Sequence, residues 1–125
     1  MKKELVTKNA PEAVGAYSQG IETDGLVFTS GQVPINPATG TIPESVTEQA
    51  KQAMNNVKGV LEAAGLTMND VIKTTVLLAD INDFAAVNEV YASFFEAPYP
   101  ARACYAVAAI PKGAKLEVEA IAAKK

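Results

Sequence analysis

The sequence predicts an α+β domain: one mixed β-sheet with two α-helices packed on one face. Three observations predict it. The elements run β-β-β, α, β, α, β-β, an order in which strands and helices alternate only in part. Ser45-Val46-Thr47-Glu48 forms a capping box in front of a long amphipathic stretch. Val71 to Leu78 is a β-branched apolar run of strand length. With 125 residues, the chain is one domain over 1–125 and buries enough surface to fold without disulfide or metal.

Lys3 to Thr7 is a short strand, and Ala10 to Ala16 a loop punctuated by Pro11 and Gly15. Two strands, Ile21–Asp24 and Leu26–Gly31, flank Asp24-Gly25, a tight-turn pair. Pro34 to Pro43 is turn-rich. The first helix runs from Ser45 to about Ala64, with Val46, Ala50, Ala53, Val57, Val60, Leu61 and Ala64 on one face and Gly65 as its stop. After the Val71–Leu78 strand, Asp80 or Asn82 caps a second helix from Phe84 to about Phe95, with Phe84, Val87, Val90, Tyr91 and Phe94 inward. Ala97-Pro98-Tyr99-Pro100 breaks it. Arg102–Ala109 and Leu116–Ala123 are the last strands, joined by Ile110–Ala114 and expected to pair as a hairpin or lie close. Val27, Val76, Val107 and Ile121 are read as apolar content of the sheet's second face, which a second subunit would cover.

Composition excludes several chemistries. There is no histidine, so Ser-His-Asp and Cys-His machinery is absent, and one cysteine with scattered carboxylates offers no metal cluster. No glycine-rich phosphate loop is present. A net charge of −3 argues against nucleic acid as partner. A lone cysteine, no apolar leader after Met1-Lys2-Lys3 and no membrane-length segment make a cytoplasmic location the expectation.

The only arginine and the only cysteine stand two apart in Pro100-Ala101-Arg102-Ala103-Cys104-Tyr105, on one face of a strand. Arg102 reads either as a surface ion pair or as an anchor for a substrate carboxylate, to which guanidinium offers a planar fork. Cys104 reads as a small core residue or, at most, a site wall. Glu117 and Glu119 share a strand face, either a solvated stripe or one carboxylate turned into the Arg102 cleft. Tyr17 and Ser30 lie in polar, glycine-containing segments, Gly15–Gly20 and Thr29–Pro34, that read as turns or as cleft walls.

Five stretches in order resemble the Rid family of reactive-intermediate deaminases, RidA branch: Gly15–Gly20, Ser30–Pro34, Asp83–Tyr91, Pro100–Cys104, and Ile110–Gly113 leading to Leu116–Ala120. The resemblance implies a chorismate-mutase-like fold and a homotrimer with clefts between subunits. It further implies hydrolysis of 2-imino acids such as 2-iminobutanoate and 2-iminopropanoate to 2-keto acids and ammonia, without cofactor, metal, nucleic acid or membrane. By motif, Arg102 is implied to hold the substrate carboxylate and Glu117 to position water. Tyr17, Ser30, Gly31, Asn88, Cys104 and Pro111 are the implied substrate-binding residues. Ala106 and Ala109 depart from the charged residues many RidA proteins carry there. Two other classes compete: a non-catalytic trimeric sensor of small 2-keto or amino acids, and a ribonuclease, which the charge balance disfavours.

Overall fold

A computed structural model describes all 125 residues, Met1–Lys125. The elements are β1 (Lys3–Leu5), β2 (Gly20–Thr23), β3 (Leu26–Thr29), α1 (Val46–Ala63), β4 (Val71–Leu78), α2 (Phe84–Ser93), β5 (Ala101–Ala106) and β6 (Leu116–Ala123), with 3-10 turns at Met68–Asp70, Ile81–Asp83 and Pro111–Gly113. They form a six-stranded sheet in the order β1-β2-β3-β6-β4-β5. Only β4 and β5 run parallel; the crossover between them carries α2. The expected α+β architecture is the one observed.

Local chemistry accounts for the boundaries. Asp24 (φ 49°) and Gly25 (φ 78°) form the two-residue turn that pairs Thr23 with Leu26. Ser45 caps α1 by accepting from the Glu48 amide. Asp80 accepts from Asn82 at the turn ahead of α2. β3 ends at Thr29, two residues short of the expected Gly31, with the Ser30 N–H on the Gln19 carbonyl as the last rung of its pairing with the β2 side. β5 stops at Ala106, short of the expected Ala109, after Val107 donates to Leu78.

The helix-bearing face is the core. Val27 of β3, Val76 and Leu78 of β4, and Leu116 and Val118 of β6 pack against Met54, Val57 and Leu61 of α1 and Val87 of α2 in one buried cluster. Full burial of each leucine contributes about 1.5–3 kcal/mol. This corrects one expectation: Val27 and Val76 belong to the core face and Val107 lies beyond β5, so of the four residues assigned to the second face only Ile121 is there. That face nevertheless presents half-exposed apolar groups, with Phe28 aligned between Ile21 and Ile121, and Leu77 between Glu117 and Tyr105.

A second correction concerns the last two strands. β5 and β6 do not pair; β4 lies between them, parallel to β5 and antiparallel to β6. A loop long enough to look like a hairpin connection instead crosses the end of β4.

Two buried polar side chains on α1 hold the loops at one end of the sheet. Asn56 donates to the carbonyls of Val33 (3.0 Å) and Ile35 (2.9 Å). Gln49 donates to the Pro43 carbonyl and accepts from the Lys115 amide, both at 2.8 Å. Buried carbonyls left without such donors cost about 1–3 kcal/mol each, so these contacts fix the loops rather than decorate them.

Candidate active site

Five of the predicted residues converge. Tyr17, Ser30, Gly31, Pro111 and Glu117 line one groove of about 630 Å³ at the end of the sheet where β2, β3 and β6 meet their loops. Gln19 shapes its wall. Buried at the start of β2, it accepts from the Thr7 amide and donates to the carbonyls of Thr7, Ala10 and Pro11, pinning the Ala10–Tyr17 loop. The Ser30 hydroxyl donates to the Ser18 carbonyl at 2.5 Å, tying the two polar segments together. Pro111 opens a turn in which Lys112 takes the left-handed conformation (φ 65°), and Lys112 also lines the groove.

Glu117, rather than Glu119, faces this groove. Its carboxyl group lies directly over Gly31: a Cβ built there would stand 2.6 Å from Oε2 and 2.7 Å from the carboxyl carbon. Glycine leaves the room that the Glu117 carboxyl group occupies; it serves a close approach, not an unusual backbone angle. Burial, and then the neighbouring Glu119 carboxylate, push the Glu117 pKa above the ordinary value. A carboxyl group so perturbed in a groove is a candidate acid-base group.

Arg102 lies elsewhere. It aligns with Thr74 of β4, whose side chain points to the helices, whereas Glu117 aligns with Leu77, which points to the opposite face. The expected turn of a glutamate into the Arg102 cleft within one chain is thus overturned: β6 is two strands away and the side chains stand on opposite sides of the sheet. Arg102 lines a separate cavity of about 460 Å³ with Asn88, Tyr91, Ala92, Tyr99 and Pro100. Its Nη1–H donates to Asn88 Oδ1 at 2.6 Å. The guanidinium sits 4.8 Å from the Tyr91 ring centroid and 5.4 Å from that of Phe84. The chain's ion pairs are Lys51–Glu48 and Lys124–Glu22, so Arg102 has no carboxylate partner. The surface-ion-pair reading does not hold, and most of its donors are free.

Cys104 lines neither cavity. Half-buried beside the core, it keeps its proton more tightly than a free thiol because of burial, which outweighs the opposing effect of Arg102. Sequence reasoning missed the supports: Gln19, Gln32, which lines the groove and donates to the Ser30 carbonyl at 3.2 Å, Lys112, and Tyr91 as a contact of Arg102 rather than core alone. One signal existed for the last, since Phe84, Asn88 and Tyr91 are spaced i, i+4, i+7 on one face of α2.

With that geometry in hand, the relatives decide the family. The family model described as Endoribonuclease L-PSP matches residues 7–124. The 2-iminobutanoate/2-iminopropanoate deaminase of Escherichia coli strain K12 is 49% identical over the whole of both chains. The chain belongs to the Rid family. Among solved Rid-like structures, E. coli TdcF with bound serine superposes with a TM-score of 0.96 at 50% identity, covering 98% of this chain and 99% of that one. RidA from the Antarctic bacterium Psychrobacter sp. PAMC 21119 gives 0.94 at 44% identity, covering 97% and 98%. The Rid resemblance stated from the motifs is therefore upheld over the full length. No helix of this Rid protein is long and apolar enough to cross a membrane.

Proposed function

We propose that this protein hydrolyses reactive 2-imino acids to 2-keto acids and ammonia, as the names of its relatives describe for them. The observation that carries the reading is the pairing of an arginine without a carboxylate partner and a glutamate of raised pKa in a groove, in a chain of this family. Arg102 holds the substrate carboxylate through its free fork. The Glu117 carboxylate takes one proton from water as the oxygen attacks the C=N carbon and passes it to nitrogen; the C–N bond then breaks as the carbonyl forms, and the remaining O–H proton goes by way of Glu117 to the departing ammonia. The balance is R–C(=NH₂⁺)–COO⁻ plus water giving R–CO–COO⁻ plus NH₄⁺. Holding a small reactive molecule against one oriented water supplies most of what such a reaction needs.

Since Arg102 and Glu117 face opposite sides of the sheet, one chain cannot present both to one small substrate. The reading therefore uses two copies: Arg102 and Asn88 from one, with the backbone of Cys104 beside them, face the Tyr17–Ser30–Gly31–Pro111–Glu117 groove of the next, in a homotrimer whose apolar second sheet face is buried. TdcF seen with serine, a small molecule bearing a carboxylate, supports a ligand of this class. The single cysteine supports a cytoplasmic setting. An RNA substrate is disfavoured despite the family model's description, because the chain has one arginine, no histidine and a net charge of −3. The test is keto-acid release from 2-iminobutanoate and 2-iminopropanoate generated in situ. Acceleration over the spontaneous rate is expected; an unchanged rate with a well-folded protein overturns the reading.

A further inference from the structure

We infer that Tyr91 is a positioning residue for substrate binding: its ring is the platform that sets the plane of the Arg102 guanidinium. The inference rests on the reading of Arg102 as the carboxylate anchor. The guanidinium lies 4.8 Å from the Tyr91 centroid, with Phe84 at 5.4 Å. Asn88 Oδ1 takes one Nη1–H, and no other acceptor in the chain engages the group. An aromatic face attracts guanidinium over its plane and leaves the in-plane donors pointing outward, the geometry a bidentate carboxylate needs.

The platform is itself fixed. Tyr91 is 4% exposed, its ring packs against Phe95 at 4.8 Å, and its hydroxyl shares a buried 2.7 Å hydrogen bond with Thr74. Thr74 is the register partner of Arg102 across β4 and β5. The hydroxyl therefore ties the ring to the neighbouring strand, next to the backbone that carries the arginine. Without the platform, an exposed arginine side chain samples many rotamers and each must be frozen on binding.

The experiment compares Tyr91→Leu, Tyr91→Phe and Phe84→Leu with the wild type in imino-acid turnover, and measures Tm for each. Tyr91→Leu is expected to raise KM about fivefold to thirtyfold with little change in kcat, the range a partly desolvated cation–π contact commands. Tyr91→Phe keeps the ring and is expected to restore KM to within about twofold, while its Tm falls because the Thr74 hydroxyl loses its partner. Phe84→Leu, at a half-buried position, is expected to raise KM by a smaller factor, and it carries the test if Tyr91→Leu does not fold. An active wild type with KM unchanged in Tyr91→Leu or, failing that, in Phe84→Leu overturns the inference. So does a KM in Tyr91→Phe as high as in Tyr91→Leu, which would assign the effect to the hydroxyl. A wild type without turnover instead removes the proposed function on which the inference stands.

Discussion

Arg102 and Glu117 stand on opposite faces of one sheet, two strands apart, held there by the register Arg102–Thr74 and Leu77–Glu117. Everything proposed for this protein turns on that relationship. Under the proposed function, it makes the Arg102 cavity and the Glu117 groove two half-sites that only an assembly brings together.

Arg102 is the first place to test. Two charge-assisted hydrogen bonds to a carboxylate contribute about 3–6 kcal/mol, so Arg102→Ala is expected to lower kcat/KM by about 10²–10⁴. Arg102→Lys should recover little, since an ammonium lacks the fork. Steady-state kinetics on 2-iminobutanoate check both; a lysine variant close to wild type would remove the case for a bidentate hold.

Glu117 carries a stability prediction with a sign. Its folded-state pKa lies above the ordinary value, chiefly through burial and then through Glu119. The folded state thus binds the proton more tightly than the unfolded one, and the contribution to stability is present in acid and lost as pH rises through the raised pKa. Glu117→Gln should therefore raise Tm at neutral pH and leave it nearly unchanged in acid, while lowering kcat by about 10²–10⁴. The acid limb of the wild-type kcat profile should fall above the ordinary carboxylate range. A variant that loses Tm at neutral pH, or that retains turnover, contradicts this assignment. A trimeric sensor would be favoured by retained ligand affinity and an unaltered effect on a partner.

Gly31 should separate activity from folding. The atoms an alanine methyl would meet belong to the end of the flexible Glu117 side chain, which can move aside. Gly31→Ala is expected to keep a near-native Tm and lose about 100-fold in kcat/KM, because a displacement of about 1 Å in a positioned group has that effect. Thermal melting alongside kinetics decides it.

Cys104 should prove dispensable as a thiol. It lines neither cavity and its proton is held more tightly than usual. Cys104→Ala is expected to retain most activity, and alkylation by iodoacetamide to be slow at neutral pH. Complete loss of turnover in the alanine variant would make the sulfur a participant.

Much of this was readable beforehand, for identifiable reasons. Ser45, the α1 periodicity and Asp24-Gly25 are local signals, and local signals predicted α1 and the β2–β3 turn correctly. The Rid motifs picked out residues that line both the Glu117 groove and the Arg102 cavity. What failed was non-local: nothing in the Ile110–Ala114 segment says that β4 comes between β5 and β6, and with that order hidden, Arg102 and Glu117 looked like neighbours. Val27 and Val76 were placed on the wrong face because both faces carry apolar residues, so alternation alone could not orient the strands.

The most direct test mixes two broken chains. Arg102→Ala and Glu117→Gln are each expected to be nearly inactive alone. Co-expressed in equal amounts, they should recover about a quarter of wild-type activity if each site draws its arginine and its glutamate from different copies in a closed ring. Mixed assemblies that form but show no recovery would contradict the two-copy site.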